Sequence, residues 1–385
     1  MNNKLNANHS PLFKDAPLTD AIQICVVIPV KNEEDDINEC LGAFLNQVDN
    51  DGDPIDNETF EILILANNCT DRSVQVIQQF KEENPNLNVH LEVVNLDAEY
   101  ANIGYVRKRL MDTAYGRLCK NGKGIMMTTD GDTVVSKDWI YQNTSEIKSG
   151  ADCVGGRILL KEKESLSLDS SIAVFYKKDE EYQLLISALE AMILQNFDFE
   201  KPCHHQHFNG SFAITSDCYR KAGGLPEVRH LEDCAFYERL LSVDANIRHS
   251  NAVEVQTSAR HSGRAAIGLA YQLMIWKNME TENPNFLVES CESLIHRFTT
   301  KRKLMNLWHQ KKKDNVLLSL ALVEIDKDII INEEIIENYT ELSYFGQWFN
   351  QIKDLNEIRW RLTCVATPIN LAIQALRKKI ANYSN

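Results

Sequence analysis

Two aspartates one residue apart, Asp130 and Asp132, follow the apolar run Gly124-Ile125-Met126-Met127-Thr128-Thr129, with only Gly131 between them. The run reads as a buried strand, and in an open α/β sheet ligands gather outside the carboxyl ends of such strands. Hard divalent cations prefer oxygen ligands and often take only one or two carboxylates, with phosphate and water completing the shell. A cation holding a diphosphate is therefore the chemistry this spacing predicts. The same triplet recurs at Asp51-Gly52-Asp53, inside a polar stretch with no preceding strand, and there it reads as a solvated turn. That stretch also fails as a calcium loop. Counting from Asp49, Pro54 stands where glycine is needed and Phe60 where the bidentate glutamate is needed.

Other polar groups fall at predicted strand ends. Asn32 and Glu33, in Pro29-Val30-Lys31-Asn32-Glu33, either receive the polar edges of a nucleoside or cap a helix. Asp71, in Asn67-Asn68-Cys69-Thr70-Asp71, either caps a helix or reaches a base or ribose. Arg107 and Arg109 either face a diphosphate or are solvated helix charges. His230-Leu231-Glu232-Asp233 opens a further helix. A carboxylate there favours the helix dipole, and becomes a general base only by reaching a substrate hydroxyl. His261 either completes a metal site, with Arg260 and Arg264 beside it to bind phosphate, or is an ordinary surface residue of a loop. Cys203-His204-His205-Gln206-His207 is too crowded for a zinc site, and lining an acceptor pocket beside Asn209-Gly210-Ser211 is the preferred reading.

The elements that must position these groups alternate. Residues 1–20 read as a polar, weakly ordered arm. Ile24 to Ile28 is a continuous apolar run, as expected of a strand covered on both faces. A helix then opens on Glu33-Glu34-Asp35-Asp36 and carries Ile37, Cys40, Leu41, Phe44 and Leu45 at helical spacing. Strands over Ile62–Leu65 and Val89–Val94, with helices after each, precede the strand that ends at Asp130. Alternation of this kind implies a mostly parallel sheet with right-handed crossovers. Beyond residue 150 come a strand from Cys153 to Leu160, a long helix with Tyr182, Leu185, Ile186, Leu189, Met192 and Ile193 on one face, and short strands over Asn209–Thr215 and Val253–Ser258. From about Asn283 the chain reads as helices alone, with a basic stretch from Arg297 to Lys313. That stretch is a solvated helix face, or a peripheral contact for anionic lipid or an anionic acceptor.

Bulk properties narrow the classes. The 385 residues are 44% hydrophobic and 25% charged, a globular composition with a net charge of −14, which speaks against nucleic acid as a partner. The 10 cysteines are scattered without metal spacing, so a reduced, cytoplasmic protein is expected. No apolar run approaches the ~20 residues of a membrane span.

Taken in order, Val26-Val27-Ile28-Pro29-Val30-Lys31-Asn32-Glu33-Glu34, Asn67-Asn68-Cys69-Thr70-Asp71, Gly104 through Ala114, Asp130-Gly131-Asp132, Asn209-Gly210-Ser211, Ala222-Gly223-Gly224-Leu225-Pro226 and Glu232-Asp233 resemble the segments of a family 2 glycosyltransferase. Their order and spacing carry the resemblance, which spans residues 22–275. It implies an α/β GT-A fold, a Rossmann-like mostly parallel sheet with flanking helices, here with a helical C-terminal extension. The implied domain occupies residues 21–282, with a nucleotide-sugar half at 21–135 and an acceptor half at 150–282, followed by helices over 283–385. The implied partners are a UDP- or GDP-sugar donor, Mn²⁺ or Mg²⁺, and an acceptor hydroxyl. By carry-over, Pro29, Val30, Asn32, Glu33, Asn68, Asp71, Arg107, Asp130 and Gly131 hold the nucleotide-sugar, and Asp132 and His261 hold the metal. Asn209, Gly210, Glu232, Arg260 and Arg264 face the acceptor, and Asp233 is the base of a single, inverting displacement.

Two departures keep details open. Ala66-Asn67-Asn68 stands where an aspartate often leads, which leaves the nucleobase unassigned. His261 resembles a third metal ligand found in some relatives, including retaining synthases that glycosylate glycerate, so the stereochemical outcome stays open. A sugar-phosphate nucleotidyltransferase usually has a glycine-rich basic loop after the first strand. Val30-Lys31-Asn32-Glu33-Glu34 has no glycine. A non-catalytic nucleotide-binding module is the remaining alternative. The sequence does not fix the acceptor or the oligomeric state.

Overall fold

The computed structural model describes residues 10–167, 169–195, 204–259, 269–282, 286–310 and 315–383. Strand β1 (Ile24–Val30) is buried along its whole length, as a continuous apolar run requires when both sheet faces are covered. It pairs in parallel with β2 (Phe60–Asn67) on one side and with β4 (Ile125–Thr129) on the other. Helices α1 (Ile37–Gly42), α2 (Ser73–Glu83) and α3 (Ile103–Lys120) and strand β3 (Val89–Val94) complete the first half. Because β1 leads outward to β2 and β3 while β4 lies on its other flank, the strand order reverses between β1 and β4. This is the switch point at which a crevice opens beyond the strand ends.

After β4 the chain forms β5 (Thr133–Val135), α4 (Trp139–Lys148), β6 (Cys153–Leu160), α5 (Glu162–Ser167), α6 (Ser170–Leu194), β7 (Ser211–Thr215), α7 (Ser216–Lys221), α8 (Glu232–Ser242) and β8 (Ile247–Thr257). The eight strands run in the order β3-β2-β1-β4-β7-β6-β8-β5. Strands β7 and β5 run against the others. The sheet is thus mostly parallel with flanking helices, as expected. Its core gathers Val26, Ile28, Ile62, Ile64, Phe44, Met127 and Trp139.

The remainder comprises α9 (Leu269–Glu282), β9 (Leu287–Glu289), α10 (Cys291–Gln310), α11 (Asn315–Ile325), α12 (Glu333–Glu341), α13 (Phe345–Thr363), β10 (Ala366–Pro368) and α14 (Ile369–Tyr383). The chain divides into two compact units: residues 1–168, 206–240 and 245–274, and residues 169–205, 241–244 and 275–385. Helix α6 therefore groups with the C-terminal helices, not with the sheet as its place in the sequence suggested. Its Tyr182, Leu189 and Ile193 pack with Leu294, Phe298 and Leu376. A second cluster surrounds Trp308, Tyr339 and Trp348.

Several expectations need correction. The acidic residues Glu34 to Asp36 form a turn, closed by the Asp36 and Ile37 amides donating to the Glu33 carbonyl, and α1 begins only at Ile37. The C-terminal region is not helical throughout, since β9 and β10 pair as a short antiparallel ribbon. Three-residue strands leave no periodicity to read. Strand β8 extends back to Ile247, and β7 begins only at Ser211. Residues 10–20 are not a free arm: Leu12 and Phe13 are buried, and Arg109 and Arg117 of α3 donate to the Ser10, Ala16 and Pro17 carbonyls. Within the basic stretch, Arg297 and Lys301 sit in ion pairs with Glu289 and Glu190, and Lys311 to Lys313 lie outside the described residues. Among the described residues no helix is long and apolar enough to cross a membrane.

Candidate active site

The loops after β1 and β2 are built against each other. Asn32 and Asn68 both adopt positive φ, +59° and +50°, a region asparagine tolerates better than most residues. Asn32 Oδ1 accepts from the Thr70 amide at 2.7 Å, and Asp71 accepts from the Glu34 and Ser73 amides at 3.1 and 3.0 Å. Burial pushes the Asp71 carboxyl up, but the hydroxyl and amide of Ser73 outweigh it and hold it below its usual range. Asn68 spends its side chain on Leu96, donating to the carbonyl and accepting from the amide. Pro29 and Val30 are buried beneath these loops.

The carboxylates converge at the end of β4. A Cβ on Gly131 would sit 3.0 Å from Glu33 Cγ and 3.3 Å from Val30 Cγ2, so the glycine lets Glu33 pack directly against the Asp130-Gly131-Asp132 turn. Cys40 donates to the Asp130 carbonyl at 3.4 Å. Its thiol is pushed far up by burial and then by the nearby charges of Asp132, Asp130 and Glu33. Asp132 Oδ1 lies 3.2 Å from Thr133 Oγ1 and accepts from Thr257 Oγ1 at 3.5 Å. The decoy triplet behaves otherwise: Asp49 Oδ1 accepts from the Asp51 and Asp53 amides in an exposed turn.

Arg107 ties this end of the sheet to α8. Gly104 permits the approach, since a Cβ there would lie 1.7 Å from the Val228 carbonyl oxygen. Arg107 is only 2% exposed. Its Nε donates to Glu232 at 3.2 Å, Nη1 to Thr128 Oγ1 at 2.5 Å and to the Asn209 carbonyl at 3.4 Å, and Nη2 to Asp130 at 2.5 Å. Four of its five N–H donors meet protein acceptors, so it holds Asp130 and Glu232 in place. Arg109 points elsewhere, to the Ser10 carbonyl. Burial disfavours the Arg107 charge, yet Asp130 and Glu232 outweigh it and raise its affinity for the proton. Burial also lifts the Glu232 carboxyl above its usual range, against the pull of Arg107 and with the push of Asp233. Asp233 Oδ1 accepts from the Cys234 amide at 2.8 Å, and burial together with Asp233 pushes the Cys234 thiol up to about 11.

Asn209 and Gly210 form the opposite wall. Gly210 lies against Asp130, where a Cβ would meet Oδ2 at 3.2 Å, and its carbonyl accepts from Thr129 Oγ1 at 2.9 Å. His207 stacks on Tyr237 with centroids 3.8 Å apart, and Gln206 is bonded to the Ile158 amide and carbonyl. Among the described residues no His, Cys, Asp or Glu group of three closes on a metal-sized point. Arg260, His261 and Arg264 lie outside the described residues, as does Cys203. The threonines at 128 and 129 were not singled out from the sequence. The available signal was hydroxyls at the end of an otherwise apolar strand, directly before the acidic turn.

With this geometry in hand, residues 25–208 match the model of glycosyl transferase family 2. That segment belongs to the family. Its relatives include the poly(ribitol-phosphate) beta-glucosyltransferase of Bacillus spizizenii, 35% identical over 74 residues, 19% of this chain and 11% of the relative. The glycosyltransferase AglE of Haloferax volcanii is 26% identical over 136 residues, 35% of this chain and 39% of the relative. The chain therefore spans well under half the length of either. Among solved structures, a mannosyltransferase from Pyrobaculum calidifontis in complex with GDP-Man and Mn²⁺ aligns over 95% of this chain and 88% of its own, at 12% identity and a TM-score of 0.44. The glucosyl-3-phosphoglycerate synthase of Mycobacterium tuberculosis, in complex with Mn²⁺, UDP and phosphoglyceric acid, aligns over 71% of this chain and 87% of its own, at 14% identity and a TM-score of 0.39.

Proposed function

We propose that the family 2 domain transfers a sugar from a nucleoside-diphosphate donor to an acceptor hydroxyl. The observation that carries this reading is Glu33 packed against the Asp130-Gly131-Asp132 turn at the end of β4, with Arg107 joining Asp130 to the first residue of the helix that bears Asp233. The loops that hold Asn32 and Asp71 flank this point and would receive the nucleoside, with the Asn68 clip shaping the floor.

The donor set fits a hard divalent cation, Mn²⁺ or Mg²⁺: all-oxygen, acidic, and short of a complete shell without phosphate and water. Asp132 is the ligand we assign, because Asp130 is already paired with Arg107. Such a cation, when bound, would neutralise charge on the leaving diphosphate. His261 would be a further ligand, and Arg260 and Arg264 would steady phosphate or acceptor. The chain's own contribution is orientation and proton transfer. Arg107 fixes the distance between the donor-side and acceptor-side carboxylates, and Asp233 takes the proton from the attacking hydroxyl. Glu232, paired with Arg107, stands beside it and would accept a hydrogen bond from the acceptor. A base so positioned is typically worth ~10²–10⁴-fold.

Incubation with labelled sugar nucleotides tests the class of reaction. Slow release of nucleoside diphosphate and free sugar without acceptor supports transfer. Exchange of pyrophosphate into a nucleoside triphosphate would instead mark nucleotidyl chemistry, and binding without turnover would mark a non-catalytic module.

A further inference from the structure

We propose that the carboxamide of Asn209 binds hydroxyl groups of the sugar being transferred, an inference that rests on the transferase reading above. Asn209 is 2% exposed, and neither its Nδ2 nor its Oδ1 meets a hydrogen-bond partner among the described residues. Folded proteins leave few buried polar groups unpaired, because each retains its desolvation cost without recompense. Here both ends of one side chain are left so. Asn143, just as buried, leaves only its Oδ1 so: its Nδ2 donates to the Trp139 carbonyl.

The surroundings say what the missing partner is. The Asn209 carbonyl accepts from Arg107 Nη1, and the next residue, Gly210, touches Asp130. Extending the Thr129↔Ser211 pairing by one step sets Gly210 beside Asp130 and the Asn209 backbone just beyond. The Asn209 backbone is therefore held between Asp130, next to the assigned cation ligand Asp132, and the helix assigned to the acceptor. In a displacement the transferred ring occupies that interval, because its anomeric carbon must meet both the leaving phosphate and the attacking hydroxyl. A carboxamide offers two donors and an acceptor oxygen with two lone pairs, which matches adjacent ring hydroxyls that each donate and accept. Its neighbours cannot supply this: Asp130 and Glu232 as carboxylates only accept, Arg107 only donates, and Gly210 has no side chain.

The test compares Asn209→Ala and the closely isosteric Asn209→Asp with the wild type, with Mn²⁺ and without acceptor. Affinity is measured for the preferred sugar nucleotide and for the bare nucleoside diphosphate. Because the free protein loses no hydrogen bond in Asn209→Ala, its melting temperature should hold or rise. Its nucleoside diphosphate affinity should be unchanged, and its sugar nucleotide affinity should fall about 10-fold or more. Asn209→Asp, which keeps the shape and loses the donors, should lose part of the same preference. A lower melting temperature with the affinity ratio intact would make Asn209 a structural residue and overturn the proposal. A wild type that binds no sugar nucleotide overturns both this inference and its parent reading, whereas a wild-type preference that the variants share overturns this one alone.

Discussion

Helix α3 carries two buried arginines, Arg107 and Arg117, about 15 Å apart along its axis, and each grips carboxylates through its guanidinium fork. Arg117 binds Glu61 twice, at 2.8 and 2.6 Å, and Glu61 also accepts from Cys25 and faces His90. Both partners are closed off, with side chains 8% and 1% exposed. Arg107 is as buried, but its partner Asp130 keeps a side chain 39% exposed. A closed ion pair can only hold the fold. One whose carboxylate is left half open at the end of a parallel strand can hold the fold and still meet a ligand. The difference separates two networks of like composition into one that stabilises and one that serves chemistry.

The strongest way to break the comparison lies at the open network. Asp233→Asn should reduce transfer by ~10²–10⁴-fold while donor nucleotide still binds, and near-normal turnover would remove Asp233 from the mechanism. Next, Arg117→Met strands Glu61 as an uncompensated buried charge, which should cost about 3–5 kcal/mol of stability with nucleotide affinity of the folded protein unchanged. Arg107→Met should impair nucleotide-dependent turnover as well as stability. If denaturant melts and calorimetry show both variants losing stability alike with binding untouched, the two networks are equivalent and the distinction fails.

Acid should also separate them. Burial would raise the Glu61 carboxyl, but hydrogen bonds from His90, Arg117 and Cys25 hold it at about 2, against an ordinary value of 4.5. A depressed carboxylate stabilises the fold above its unfolded pKa and loses that contribution as pH falls through the folded one. Wild type should thus lose about 3 kcal/mol between pH 4.5 and 2 that Glu61→Gln does not lose. Parallel curves for the two proteins would show that Glu61 is not the titrating group. The smallest effect is expected from Gly131→Ala, whose Cβ meets Glu33 Cγ at 3.0 Å. Displacing Glu33 should cost roughly 1 kcal/mol in metal-dependent nucleotide binding, read by calorimetry with and without Mn²⁺.

Much of the open network was legible in the sequence. Asp130-Gly131-Asp132 ends a strand whose apolar run announces burial, and local periodicity places β1, β2 and α3. The closed network was not. Glu61 looks like an ordinary charge before an apolar run, and nothing local pairs it with Arg117, 56 residues away. The burial of Arg107 was hidden for the same reason: its spacing marks a helix, but its burial depends on Gly104 letting α3 approach the Val228 carbonyl. The grouping of α6 with the C-terminal helices likewise depends on contacts with residues about a hundred positions or more along the chain, which helical periodicity cannot reveal.

The central claim is that Asp132, beside Asp130 and Glu33, seats a cation that clamps a sugar nucleotide. Thermal-shift titration with UDP-, GDP- and dTDP-sugars in Mn²⁺, on wild type and Asp132→Ala, tests it most directly. One donor at 100 times its Kd should add ~2.7 kcal/mol to wild type, and the Mn²⁺-dependent part should vanish in the variant. Equal stabilisation of both proteins, or of neither by any donor, would contradict the account.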